Sequence, residues 1–136
     1  MDQTVGIAGL ALEITAPQDV ADVPVGYAIE QIARACATSS LILVVQELGA
    51  LPLLIAGSTE QQARWFPDLA AGRMLAAFAL TEPEAGSDAA SIRTRALRDG
   101  DDYVISGTKR FITHGSVAGL ISVFAVTDPD APRHGR

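Results

Sequence analysis

The stretch Thr81-Glu82-Pro83-Glu84-Ala85-Gly86-Ser87-Asp88 crowds three carboxylates and two hydroxyls around one proline and one glycine. Pro83 fixes one backbone dihedral, while Gly86 permits a φ that a Cβ disfavours and lets a ligand approach the main chain closely. Successive N–H groups after such a turn can converge on an anion. With Ser87 adding a hydroxyl donor, a phosphate or pyrophosphate is a sensible guest even without Lys or Arg. Thr81, at the end of an apolar run, is placed to address the carbonyl or ring nitrogen of a planar heterocycle. The same residues also suit a plain connecting loop in which Ser87 and Asp88 bond their own backbone, and turn chemistry alone favours that plainer reading.

The elements that must carry this stretch fit within a chain of 136 residues, 49% of them hydrophobic, which is enough for a core in one domain or two small ones. The net charge of −6, with no basic cluster longer than Lys109-Arg110, lacks the electrostatic footprint of a nucleic-acid or anionic-membrane binder. A single cysteine, Cys36, cannot form an internal disulfide, and the N-terminus shows no basic segment followed by a sustained apolar one. A reducing, cytoplasmic setting is expected. The most apolar segment, Leu41 to Ala56, is interrupted by Gln46, Glu47, Gly49 and Pro52, short of the roughly 20 residues of a membrane span. His114 and His134 lack the companions of a metal site, so none is expected.

Residues 1–23 read as an irregular lead-in. From Val25 to Ala37 the apolar residues Val25, Ile29, Ile32, Ala33 and Cys36 recur at three- and four-residue spacing, an amphipathic helix that buries Cys36 as a small hydrophobe. Thr38-Ser39-Ser40 can cap a second helix over Leu41 to Leu48, which Gly49 and Pro52 end or kink. Ser58 and Gln61 form a capping-box pattern for a third helix, closed by Pro67 and Ala71-Gly72. Beyond about residue 74, Met74 to Leu80, Ile92 to Leu97, Tyr103 to Ile105, Lys109 to Thr113 and Leu120 to Val126 read as strands, with a turn at Arg98 to Asp102 and a loop-like tail from Asp128. The expected class is α+β, a helical part at 1–73 followed by an antiparallel, barrel-like β part at 74–136. So few strands leave the sheet incomplete.

Ala79 to Ser91 resembles the signature of the acyl-CoA dehydrogenase family: small, aliphatic, Thr/Ser, Glu, two variable, small, Gly, Ser/Thr, Asp, two variable, small. Tyr103 to Gly115 is similar to the family's second flavin-contacting segment, whose core usually reads Trp-Ile-Thr-Asn; here Phe111 replaces the Trp and His114 the Asn. Glu30 to Cys36 and Gly57 to Gln62 resemble its helical domain, although the glycine pair usual before the first of these is replaced near Ala21-Asp22.

The resemblance implies an FAD site. Phe78, Leu80, Thr81, Gly86 and Ser87 become flavin contacts, Thr81 at the pyrimidine edge of the ring and Gly86 with Ser87 at the diphosphate. Phe111 would lie against the ring face beside Ile112, and Thr113 would donate its hydroxyl to N5, where a donor stabilises developing negative charge. Ser87 would also meet the acyl-CoA substrate, with Leu41, Val44 and Val45 near its acyl tail. The implied reaction is dehydrogenation of an acyl-CoA to a trans-2-enoyl-CoA, with an electron-transfer flavoprotein as acceptor and a homo-oligomer or complementary chain completing the site. None of Glu30, Glu47, Glu60, Glu82 or Glu84 matches the family's catalytic base, which lies in a C-terminal domain, so no catalytic residue is assigned and the chain is expected to be a fragment inactive by itself. A related flavin oxidase and a non-catalytic interaction module are the alternatives.

Overall fold

The computed structural model describes residues 25–130. The expected lead-in at 1–23 and the end of the tail, 131–136, lie outside them.

Among the described residues three helices come first: α1 (Val25–Ala35), α2 (Ala37–Ala56) and α3 (Thr59–Ala70). Arg34 sits in the last turn of α1, where a cation complements the helix dipole. Cys36 separates α1 from α2 in an extended conformation and is exposed, not buried. The hydroxyls of 38–40 do not cap α2 from outside, because the helix has already begun at Ala37. Ser40 instead donates its hydroxyl to the Ala37 carbonyl at 2.7 Å.

Neither Gly49 nor Pro52 ends α2, which runs on to Ala56. Pro52 deprives the Leu48 carbonyl of its intrahelical donor, a loss that usually breaks a helix. Here packing on both flanks outweighs it: Gly49, Ala50, Pro52 and Leu53 are all buried. Gln62 of α3 also caps the far end of α2 by donating to the Leu54 and Gly57 carbonyls at 3.0 and 3.2 Å. The uninterrupted helix is therefore long and apolar enough to cross a bilayer by length and composition. The residues that punctuate its sequence are the ones that seat it on protein.

The capping box of α3 forms as expected, with Gln61 N–H donating to Ser58 Oγ and Ser58 N–H to Gln61 Oε1. Pro67 is carried inside the helix, whose close comes at Ala71 and at Gly72 with φ 67°.

Four strands follow among the described residues: β1 (Ala76–Ala79), β2 (Arg95–Asp99), β3 (Asp102–Ser106) and β4 (Leu120–Val123). β2 and β3 form the expected antiparallel hairpin, turning at Gly100 with φ 62°. β1 and β4 pair in parallel, with Ala76 opposite Leu120 and Ala79 opposite Val123. A parallel pair needs a long crossover, and the hairpin lies within the connection that supplies it. Beyond β4 the chain leans on the hairpin, Val126 N–H donating to the Thr94 carbonyl and Ala96 N–H to the Val126 carbonyl.

Helices and strands share one core of Ala50, Leu53, Leu69, Ala76 and Leu120, flanked by Trp65, Phe66 and Met74. Gln46 of α2 fastens the two parts, donating to the Leu69 and Met74 carbonyls at 3.1 and 2.9 Å and accepting from Ala76 N–H at 2.9 Å. Beside it, a Cβ added to Gly49 would fall 2.7 Å from both Ala76 Cβ and Ala77 N, so only glycine lets α2 approach β1 this closely.

Candidate functional site

Two loops leave the strand layer side by side. The first begins as β1 ends: Glu82 and Ala85 exchange backbone hydrogen bonds of 3.0 and 3.3 Å across Pro83-Glu84, making a tight turn that leaves Gly86 and Ser87 exposed beyond it. Gly86 is not among the residues at positive φ, so the expected conformational role falls away; its part is space, because an added Cβ would meet nothing within 4 Å. Asp88 shapes the turn locally, accepting from the Ser91 hydroxyl and backbone N–H ahead of a short 3-10 turn at Ala89–Ser91.

The second loop, expected as a strand over Lys109 to Thr113, is a looped segment in which Phe111 has φ 58° and His114 φ 64°. Such values cost a bulky residue on the order of 1–2 kcal/mol and persist only when neighbours enforce them. The neighbours are visible here. Arg110 N–H donates to the Thr81 carbonyl at 2.8 Å, and the Lys109 ammonium donates to the Leu80 carbonyl at 2.9 Å and the Glu82 carboxylate at 2.8 Å. Downstream, Gly115 N–H closes a turn onto the Ile112 carbonyl, and His114 donates from Nδ1 to the Ala76 carbonyl at 3.2 Å, which places its proton on Nδ1.

Glu82 is the centre of this arrangement. Its side chain is 5% exposed and that of Lys109 11%, and the carboxylate also accepts Arg93 N–H at 2.6 Å and Thr94 N–H at 2.9 Å. Burial alone would push the carboxyl up, but the Lys109 ammonium, the neighbouring Thr94 and the two backbone N–H groups outweigh it and hold the pKa at about 2, against an ordinary 4.5. Folding therefore favours the ionised form. The resulting stability is fully present above pH 4.5 and is lost as pH falls towards 2, and by linkage it amounts to about 3 kcal/mol. Acid titration of unfolding in Glu82→Gln should lose most of the parent chain's slope in that window; equal slopes in both proteins would refute the assignment.

The sequence alone rules Glu82 out as the family's base and assigns Lys109, Thr94 and Gly107 no part in the site. A Cβ on Gly107 would fall 2.7 Å from Thr94 Cα, so this glycine lets the start of the second loop lie directly on the residue that feeds Glu82. The available signal was the chain's single lysine and one acid among three, each set beside the residues expected to meet a flavin in its own motif.

Of the residues expected to meet a flavin, Phe78 is half-buried in β1 with its ring 4.9 Å from that of Phe124. Leu80 and Thr81 are half-buried at the head of the first loop, and Thr81 spends its carbonyl on Arg110. Ile112 is half-buried and Thr113 exposed, while Phe111 is 87% exposed with the Arg110 guanidinium 5.7 Å from its ring. Leu41, Val44 and Val45 lie apart from both loops in chain terms, in the half of α2 that precedes Gln46; Leu41 is 50% exposed and the two valines half-buried. These placements fit a flavin: an aromatic ring held outward on a strained backbone offers a stacking face, and the open side of Gly86 with the Ser87 hydroxyl offers room and a donor for phosphate oxygens.

The fold and loop pair define a helical layer docked on a β platform that presents an uncovered aromatic face. Residues 20–73 match the model of the acyl-CoA dehydrogenase N-terminal domain and residues 77–136 that of the acyl-CoA dehydrogenase middle domain. The chain is 54% identical over 100 residues to cyclohexane-1-carbonyl-CoA dehydrogenase of Geobacter metallireducens, covering 74% of this chain and 26% of that protein. Among solved structures it superposes on glutaryl-CoA dehydrogenase of Mycobacterium smegmatis in complex with FADH2 with TM-score 0.73 and 35% identity, over 90% of this chain and 32% of that one. It also superposes on a chain from the structure of the electron transferring flavoprotein of Acidaminococcus fermentans with TM-score 0.71 and 37% identity, over 75% and 27% of the two.

The chain belongs to the acyl-CoA dehydrogenase family. It spans about a quarter of the length of the curated relatives it matches.

Proposed function

We propose that this chain supplies the flavin platform of an FAD-dependent acyl-CoA dehydrogenase. The observation that carries the reading is the joining of its two motifs by the Lys109 and Arg110 hydrogen bonds, which sets Thr81 beside the outward-held Phe111. FAD, when bound, supplies the hydride acceptor for converting an acyl-CoA to its trans-2-enoyl-CoA.

The chain's residues bind and orient. Phe78, Leu80 and Thr81 would form one wall, with the Thr81 hydroxyl at the pyrimidine edge. Gly86 and Ser87 would receive the diphosphate and, through Ser87, the acyl-CoA. Phe111 and Ile112 would cover the ring, and Thr113 would hold a hydroxyl donor at N5. Leu41, Val44 and Val45 would line the acyl tail. No carboxylate in this set takes the substrate proton: Glu82 is a poor base, being buried, ion-paired and ionised with a pKa near 2. The base would come from outside this chain, as would the subunit contacts that close the site. An electron-transfer flavoprotein would take the electrons in a cytoplasmic setting.

FAD at millimolar concentration should shift the backbone amide resonances of Thr81, Gly86, Ser87 and Phe111 to Thr113 and leave those of α3 in place. Undisturbed resonances in both loops would remove the reading. Acyl-CoA added with FAD should give no sustained turnover by this chain, and steady enoyl-CoA formation without another chain would show that it contains its own base.

A further inference from the structure

We infer that Glu82 and Lys109 are positioning residues, a buried clamp that sets the flavin-facing segment Arg110–Thr113 against Thr81. The inference takes that segment as flavin-facing and so rests on the function proposed above.

The clamp joins three stretches of chain at one point. Lys109 bonds both the Leu80 carbonyl and the Glu82 carboxylate, and that carboxylate in turn takes the N–H groups of Arg93 and Thr94. The very next residue, Arg110, bonds the Thr81 carbonyl, and the residue after it enters the positive-φ region. An aromatic residue 87% exposed has few contacts of its own to enforce so unfavourable a backbone, so the enforcement comes from the residues on which it is mounted. The geometry also explains why the tether is an ion pair. Glu82 meets three donors from two stretches, which a neutral side chain could not satisfy together, and the ammonium offsets a charge that burial would otherwise penalise.

Hydrogen exchange on the whole chain, resolved by residue, tests this in three proteins. In Lys109→Met the Arg110 amide, bonded to Thr81, should exchange at least about tenfold faster while Gly49 to Leu53 of α2 keep parent rates. Because a lone buried carboxylate can unfold the chain, the decisive protein is Glu82→Gln with Lys109→Met, which buries no net charge. It should remain folded, lose the Arg110 protection, and show weaker FAD-induced shifts at Phe111 and Thr113 than the parent. Arg110 protection within about twofold of the parent in the double variant, or a loss spread equally through α2 and β1, overturns the clamp. A parent chain whose loops do not respond to FAD counts against the proposed function alone, since the exchange rates still decide the clamp.

Discussion

Gln46→Leu should lower the unfolding free energy by about 4 kcal/mol, the largest loss expected from a single uncharged side chain in this protein. The substitution leaves Ala76 N–H and the Leu69 and Met74 carbonyls without the amide that serves all three. Each buried backbone group stripped of its partner costs about 1–3 kcal/mol, the N–H most, because a carbonyl more readily finds another donor. Leucine has nearly the right length and recovers about 1 kcal/mol by burying carbon, too little to offset the loss. In urea the midpoint should fall with an unchanged slope, marking lost stability and not a changed unfolded state. A midpoint equivalent to less than about 1 kcal/mol of loss would mean that Gln46 is incidental to the joint between helices and sheet.

Gly49→Val should cost about 3 kcal/mol and lower the melting temperature by about 10 °C. Two effects oppose one another. Valine is the better helix former, worth about 0.4 kcal/mol in the middle of α2. Yet even its Cβ would stand 2.7 Å from Ala76 Cβ and Ala77 N, and backbone cannot yield as a flexible side chain would. Moving α2 outward to make room stretches the Ser122 Oγ bond to the Gly49 carbonyl, now 2.7 Å, and opens the core at Ala50 and Leu53. Overpacking of this kind outweighs propensity several-fold. Gly49→Ala should fall between valine and the parent, and an alanine variant more stable than the parent would show that the close approach is relaxed at no cost.

What could be read in the sequence was local or family-borne. Ser58 with Gln61 capped a helix because both partners lie within one turn, and the hairpin was legible because Gly100 and its acidic neighbours punctuate two alternating runs. Pro52 misled because its effect depends on α2 being wedged among other elements, which spacing along one helix does not show. Lys109 to Thr113 reads as a strand by composition, yet its conformation is dictated by Leu80, Thr81 and Glu82, nearly thirty positions earlier. Cys36 followed helical periodicity onto an apolar face, but the helix stops one residue short of it. The same limit explains the site. The residues expected to face a flavin were named through the family signature, whereas Glu82 and Lys109, which join the two motifs, become partners only once the chain is folded.

The parallel pairing of β1 with β4 carries a consequence for the order in which the chain organises. Closing β1 on β4 directly would constrain about forty residues in a single loop, a costlier and slower closure than that of the β2–β3 hairpin. The β2–β3 hairpin and the contact of Glu82 with Lys109 need not wait for it. Once they form, the free segment left between Lys109 and β4 is about ten residues, a span that closes in well under a microsecond. The buried ion pair thus divides one improbable search into short ones, so that the last strand is delivered to a partner already within reach.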